Sequence, residues 1–288
     1  MAKLLTVFGT TGQQGGSLIR YIIDTPTLRH AFMLRGITRD ASKPAAISLK
    51  NHGIEIVEAD MNIRSSLDKA VAGSHVVFSM TNYWETGLAE IEVAQGKAIA
   101  DAAVAAGVGQ IIWSSLPDVS QLSKDNSPAV EHFETKAQVE EYMRMLDIKT
   151  VFLVPGWFMQ NQLAILKPEK TEERTYVFSM PWSADSELPL IDIRDTGKFI
   201  APALLGPDSY HGKTLTCTTA FYTLAEIVDT WTRVTGTIVK LKVPETREDY
   251  VVVPAEMKHE DVDATSHINK FGYFGLNAKD HLACNIGT

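Results

Sequence analysis

Apolar, strand-like segments alternate with helix-like segments from residue 3 to about residue 155. Apolar residues recur at helical spacing after Gly15, at Leu18, Ile19, Ile22 and Ile23, and residues 88–107 are predicted to form an alanine-rich helix. The runs typical of strands are 3–8, 31–39, 53–60, 75–81, 110–115 and 150–156. This alternation requires right-handed crossovers, so the strands must run parallel in a sheet that helices cover on both faces. The sequence therefore predicts an α/β fold with a Rossmann-type, doubly wound parallel sheet.

The first predicted strand leads into a glycine-rich segment, FGTTGQQGGSLI at residues 8–19. Gly9 permits a tight turn, Gly12 lets the backbone approach a pyrophosphate, and Gly15 lets the following helix pack against the strand. The N-terminus of that helix favours the negative charge of phosphates. We interpret the segment as a dinucleotide-binding loop. The alternative is a glycine-rich turn that holds no ligand.

The end of the second predicted strand indicates which dinucleotide is bound. Sites for NAD usually carry Asp or Glu there, to hold the ribose 2′-hydroxyl. This chain has Arg39 at that place, and Lys43 follows. Because a guanidinium and an ammonium suit a 2′-phosphate, the sequence favours NADP(H) as the cofactor. The alternative is that both are solvated charges and that Asp40 makes the contact typical of NAD sites.

Composition argues against several functional classes. The formal net charge of −8 disfavours direct binding to nucleic acid or to an anionic membrane, since both need a basic face. The two cysteines, Cys217 and Cys284, form no C-x-x-C motif, so we expect no metal site and a reducing compartment. That compartment is the cytoplasm, with the nucleus as a second location. No run approaches 18 uninterrupted apolar residues, so no membrane span is expected.

Several segments resemble one known family: VFGTTGQQGGS, ITRD, SMTNYWE, QGKAIADAA and VPGWFMQN. They are similar to segments of the NmrA-like family, an atypical branch of the short-chain dehydrogenase/reductase superfamily, and the resemblance covers about residues 3–275. The family includes NADP-binding redox-sensing regulators, among them a fungal repressor of nitrogen metabolism genes. It also includes NADPH-dependent reductases of quinones and phenolic ethers.

The resemblance implies specific contacts with the cofactor. The pyrophosphate is expected on the loop Gly9, Thr10, Thr11, Gly12, Gln13, Gln14 and Gly15, and the 2′-phosphate on Arg39 and Lys43. The remaining expected contacts are Asp60 and Met61 at the adenine, Thr81, Asn82 and Tyr83 on the ribose side, and Pro155, Gly156, Trp157 and Phe158 over the nicotinamide end. By residue type alone, the aromatics in 82–85 form either a wall of the site or part of the core.

One departure from the superfamily concerns catalysis. Ordinary members use a Tyr-x-x-x-Lys pair, but the matching helix here reads EHFETK, which places His132 at the tyrosine position and retains Lys136. The sensors of the family also lack this tyrosine. Histidine can donate a proton near neutral pH, so His132 and Lys136 stay candidates for catalysis. Alternatively His132 is a helix-surface residue, and Lys136 hydrogen-bonds the nicotinamide ribose.

The alternation becomes irregular after residue 156. We expect residues 1–155 to form the NADP-binding Rossmann domain and residues 156–288 a smaller α+β lobe on the substrate side, packed on the same body. The leading hypothesis is a redox sensor and regulator that acts through a protein partner, as a monomer or homodimer. The alternative is an NADPH-dependent reductase of a small apolar or aromatic quinone, enone or carbonyl substrate.

Overall fold

The computed structural model describes residues 2–124, 126, 130–164, 166–171, 175–244, 258–276 and 278–279. Its strands are β1 (Lys3–Val7), β2 (Phe32–Thr38), β3 (Glu55–Glu58), β4 (Val76–Ser79), β5 (Gln110–Ser114), β6 (Lys149–Pro155), β7 (Trp157–Phe158), β8 (Glu169–Lys170), β9 (Tyr176–Ser179), β10 (Glu187–Ile191), β11 (Thr214–Cys217), β12 (Ala220–Thr223) and β13 (Val239–Lys242). Its α-helices are α1 (Gln13–Asp24), α2 (Pro26–Ala31), α3 (Pro44–Asn51), α4 (Arg64–Val71), α5 (Ala89–Ala105), α6 (Val119–Ser123), α7 (Glu131–Arg144), α8 (Thr196–Leu205), α9 (Pro207–Tyr210), α10 (Leu224–Thr235) and α11 (Lys258–Phe271).

By their internal contacts the residues divide into two units that alternate along the chain. The first unit comprises Met1–Leu116, Thr135–Pro155 and Ile193–Cys217. The second comprises Pro117–Glu134, Gly156–Asp192 and Thr218–Thr288. The division into folding domains at residue 155 stays a prediction.

A seven-stranded sheet organises the first unit, in the order β11-β6-β5-β4-β1-β2-β3. All neighbouring strands are parallel, which confirms the predicted α/β fold and the six predicted strands. β11 adds a seventh strand at the β6 edge, which the sequence analysis did not assign to the sheet. The strand order reverses between β1 and β4. Open α/β sheets bind ligands beyond the carboxyl ends of the strands at such a switch point.

Helices α4, α5 and α7 share one apolar core with the sheet. Leu67, Ala70 and Val71 form the inner face of α4 and are fully buried. Gly96 allows α5 to approach α7 closely, because a Cβ there would lie 2.7 Å from Cγ2 of Val139. This close approach fixes the side chains that lie one turn earlier on each helix, where the candidate site is found.

Two short helices were not predicted. Pro26 begins α2, and Pro44 begins α3. Proline suits the first turn of a helix, where its missing N–H costs no hydrogen bond. Among the described helices, none combines the length and apolar character that crossing a bilayer requires.

The second unit contains two three-stranded sheets, ordered β12-β10-β7 and β13-β9-β8. Each sheet combines one parallel and one antiparallel pair. A capping box begins α10: Thr223 accepts a hydrogen bond from the N–H of Glu226, and the Glu226 carboxylate accepts one from the N–H of Thr223. Such reciprocal bonds define where the helix starts.

Candidate functional site

The glycine-rich loop lies at the switch point of the seven-stranded sheet. Gly9 has a φ of 66°, in the left-handed region that other residues adopt at a cost. A Cβ at Gly9 would also lie 2.8 Å from Sδ of Met80, at the end of β4. The loop also packs closely against β2, because a Cβ at Gly36 would lie 2.6 Å from Oγ1 of the buried Thr10. The loop therefore sits over the ends of three neighbouring strands.

Helix α1 begins directly on this loop. Gly12 is its N-cap residue, and within residues 2–124 no side chain caps the helix. Gly15 must lack a side chain, since a Cβ would lie 2.5 Å from the carbonyl oxygen of Gly9. Thr11, Gly12 and Gln13 are exposed, whereas Gln14 is buried. The loop thus presents open backbone and an uncapped helix N-terminus, an arrangement that favours an anion.

Two basic residues follow β2, as predicted, and one of them has an acidic partner. Arg39 forms an ion pair with Glu85, a residue of the short 3-10 helix Tyr83–Glu85 after β4. Lys43 is the exposed N-cap residue of α3. Asp40 turns onto its own loop: its carboxylate accepts hydrogen bonds from the backbone N–H and the hydroxyl of Ser42, at 2.9 and 2.5 Å. These bonds lower the pKa of Asp40, with the side-chain bond the larger cause.

The residues predicted to face adenine lie at the end of β3. The carboxylate of Asp60 accepts hydrogen bonds from the backbone N–H and the side-chain amide of Asn62, at 2.8 and 2.9 Å. Its backbone is fixed by Ser66, whose hydroxyl donates to the Asp60 carbonyl at 2.7 Å. Met61 packs half-buried against the core that α4 and α5 share. Asp60 is thus a half-exposed, turn-forming residue, and like the glycine-rich loop it lies beyond the carboxyl ends of the parallel strands.

A buried charge pair lies behind the end of β4. Lys136 donates from Nζ to Oε1 of Glu92 at 2.6 Å, and to both the carbonyl and the hydroxyl oxygen of Thr81 at 3.0 Å. Glu92 is 2% exposed and also accepts hydrogen bonds from the hydroxyls of Thr81 and Thr135. The carboxylate is therefore fully engaged, which is the condition under which a buried charge is tolerated.

The environment of Lys136 controls its charge and its donors. Burial lowers the pKa of Lys136, and the neighbouring Glu92 carboxylate partly opposes that shift. An ammonium has three N–H donors, and the three acceptors on Glu92 and Thr81 use all of them. The ring of Trp113 lies 5.6 Å from Nζ, and its indole N–H donates to the Lys136 carbonyl at 3.1 Å. The side chain is held in place within the first unit.

Two acidic residues of this site were missed by the sequence analysis as functional candidates. Glu92 lies on the buried face of α5 together with Gly96, Ile99 and Ala103. A carboxylate in an apolar helical stripe is a signal that could have identified it. Glu85 is the last residue of the segment SMTNYWE, but its pairing with Arg39 joins positions 46 residues apart, which sequence spacing does not encode.

The other predicted site residues are divided between the units. Asn82 is exposed and Tyr83 is buried, both after β4 in the first unit, and Pro155 ends β6 there. Tyr83 packs edge-on against Trp84, with ring centroids 5.4 Å apart. The remaining predicted residues, His132, Gly156, Trp157 and Phe158, belong to the second unit.

Within the second unit His132 is half-exposed near the start of α7, and its ring lies edge-on to Phe133 at 4.7 Å. Trp157 and Phe158 form β7, and Trp157 packs edge-on against Trp182 at 5.3 Å.

Among the described residues, no cluster of histidine, cysteine and acidic side chains could hold a metal ion. Cys217 is a buried free thiol, and Cys284 lies outside the described residues.

Comparisons with known proteins agree on one family. The model of the NmrA-like family matches residues 1–283. The NmrA-like family domain-containing oxidoreductase cpsB of Aspergillus campestris is 31% identical over 254 residues, which are 81% of this chain and 73% of that protein. The crystal structure of NmrA, a negative transcriptional regulator, is 25% identical with a TM-score of 0.81, over 99% of this chain and 88% of that one.

A further solved structure shares the fold at lower identity. The triphenylmethane reductase of Citrobacter sp., crystallised with NADP(H), is 20% identical with a TM-score of 0.75. The match covers 99% of this chain and 95% of the reductase. The fold therefore occurs both in a protein described as a regulator and in one described as a reductase.

Proposed function

Because the chain belongs to the NmrA-like family, we propose that it binds NADP(H) at the switch point of its seven-stranded sheet. The residues fit this group on two counts. The backbone at Gly9 and Gly12 is open, and the N-terminus of α1 has no side-chain cap within residues 2–124. The loop from Gly9 to Gly15 would hold the pyrophosphate, with Thr10 and Gln14 buried beneath it.

The rest of the proposed site follows from the family resemblance and from the ends of the strands. Arg39, assisted by Lys43, would hold the 2′-phosphate as a charge-assisted donor. The proposed contacts beyond these are Asp60 and Met61 for the adenine, Thr81, Asn82 and Tyr83 for the ribose groups, and Pro155 for the nicotinamide end. When bound, the nicotinamide would supply or accept a hydride equivalent.

The function that the geometry supports best is redox sensing through a protein partner. One observation carries this proposal: all three donors of Lys136 are engaged by Glu92 and Thr81. A lysine held in this way stabilises the end of β4 but has no donor left for a substrate. The tyrosine that ordinary members of the superfamily use as the acid is replaced by His132. We expect the protein to act in the cytoplasm, with the nucleus as a second location.

A sensor must bind the oxidised and reduced cofactors with different free energies, since that difference limits any shift in conformation. The test is a calorimetric titration of NADP⁺, NADPH, NAD⁺ and NADH into wild type, Arg39→Ala and the matched control Arg64→Ala. Arg64 is also an exposed arginine with an acidic partner, but it lies on α4. We expect Arg39→Ala to weaken NADP(H) about ten- to a hundredfold and Arg64→Ala to leave it unchanged. Equal affinities for NADP⁺ and NADPH would contradict the sensor.

A second candidate function is an NADPH-dependent reductase of a quinone, enone or carbonyl. The observation in its favour is that cpsB, 31% identical, is described as an oxidoreductase. In this case Lys136 would release Glu92 or Thr81 to reach a substrate, and the role of His132 as a proton donor stays a prediction. NADPH oxidation with a panel of such substrates, in wild type, His132→Ala and Lys136→Met, separates the two. Turnover that falls in Lys136→Met at saturating NADPH would replace the sensor by the reductase.

A further inference from the structure

The pair formed by Arg39 and Glu85 lies across the glycine-rich loop. Arg39 follows β2 and Glu85 follows β4, and these strands flank β1 on its two sides. Neighbouring strands lie about 4.8 Å apart, so the two anchoring strands are separated by about 10 Å. The two long side chains bridge that distance over the strand that carries the loop. Any group held by Arg39 therefore meets the Glu85 carboxylate.

Neighbouring acidic groups are engaged elsewhere. The carboxylate of Asp40 is occupied by Ser42, and that of Glu58 accepts a hydrogen bond from the N–H of Ala41 at 2.7 Å. Both members of the Arg39–Glu85 pair are open to solvent, with side chains 64% and 42% exposed. An exposed ion pair is weak, so a more highly charged anion can displace the carboxylate from the guanidinium. The pair is thus exchangeable and not a fixed part of the core.

We propose that Glu85 is a specificity-determining residue, which opposes the 2′-phosphate of NADP(H) and accepts the ribose 2′-hydroxyl of NAD(H). The inference rests on the proposed cofactor site. A 2′-phosphate carries close to two negative charges at neutral pH, so it must compete with the Glu85 carboxylate for Arg39 and then remain beside it. A 2′-hydroxyl instead donates a hydrogen bond to a carboxylate, as it does to the acidic residue of NAD sites. Glu85, in the short 3-10 helix after β4, thus provides the acidic residue that is missing at the end of β2.

The experiment measures dissociation constants for NADP⁺ and NAD⁺ in wild type, Glu85→Gln, Arg39→Ala and the double variant. Asp68→Asn is the matched control, because Asp68 forms an exposed pair with Arg64 and the substitution removes the same charge. In Glu85→Gln we expect NADP⁺ to bind about three- to tenfold more tightly and NAD⁺ about threefold more weakly. The gain for NADP⁺ should disappear in the double variant, and Asp68→Asn should change neither constant more than twofold.

The results separate this inference from the proposed cofactor site. If Arg39→Ala weakens NADP⁺ but Glu85→Gln leaves the ratio of the two constants within twofold, the site stands and the role of Glu85 is wrong. An equal change for both nucleotides in Glu85→Gln would also overturn it, because that result describes an effect on the fold. If wild type binds neither nucleotide, the site and the inference fall together. Circular dichroism of each variant establishes that it is folded.

Discussion

Replacing Glu92 by Gln removes the carboxylate that faces Lys136 but keeps almost the same side-chain volume. Glu92 is 2% exposed and the Lys136 side chain 14% exposed, so the pair is shielded from water. Removing one partner of such a pair leaves a buried charge without its counter-charge, which costs roughly 3–5 kcal/mol. Lys136 can lose its proton, because burial already lowers its pKa. We therefore expect a loss of about 3 kcal/mol in the free energy of unfolding at pH 7.

The pH dependence of this loss follows from the same lysine. Without Glu92 the pKa of Lys136 in the folded protein falls further, while in the unfolded chain it returns to about 10.5. Between those two pKa values the unfolded chain binds the additional proton, so the stability of the variant rises with pH, by at most about 1.4 kcal/mol per pH unit. The deficit of Glu92→Gln against wild type should therefore shrink from pH 7 to pH 9.

The assay is urea unfolding followed by far-ultraviolet circular dichroism at pH 6, 7, 8 and 9. Asp68→Asn, which breaks an exposed pair on α4, should change stability by no more than about 0.5 kcal/mol. The double variant Glu92→Gln/Lys136→Met should be more stable than Glu92→Gln alone, because no unpaired charge remains. A Glu92→Gln deficit below about 0.5 kcal/mol at every pH would refute a buried pair.

Three further predictions test particular contacts. Gly15→Ala should lower stability by about 1–3 kcal/mol in urea unfolding, because its Cβ would lie 2.5 Å from a backbone oxygen. Gly16→Ala, with the nearest oxygen at 3.2 Å, should lose less, and equal losses would argue against the contact. Burial raises the pKa of Cys217, so in a Cys284→Ser background its thiol should resist Ellman's reagent at pH 8 until urea unfolds the protein; prompt reaction of the native form would contradict this. Thr223→Ala should cost about 1 kcal/mol by removing the cap of α10, measured as a lower unfolding midpoint.

Local sequence patterns determined the class of the fold. Buried parallel strands need continuous apolar runs and their helices need an apolar face, and both signals lie within a few residues of each other. The glycine-rich loop could be predicted equally well, since the left-handed turn at Gly9 and the close approach of Gly15 to the Gly9 carbonyl involve residues that are near each other in the sequence. The position of Arg39 and Lys43 after β2 follows from the same reasoning.

Tertiary structure decided what these residues contact. β11 pairs with β6 although it lies outside the alternating segment. A strand can join the edge of a sheet wherever it finds backbone hydrogen-bond partners, however far away they lie in the sequence. Arg39 meets Glu85, and Lys136 meets Glu92, across 46 and 44 residues. Parallel strands and a close helix pair bring these charges together. The sequence alone therefore determined the loop that can hold a dinucleotide. Only the tertiary packing decided which carboxylates pair with Arg39 and Lys136, because the energy of a charge depends on what surrounds it in space.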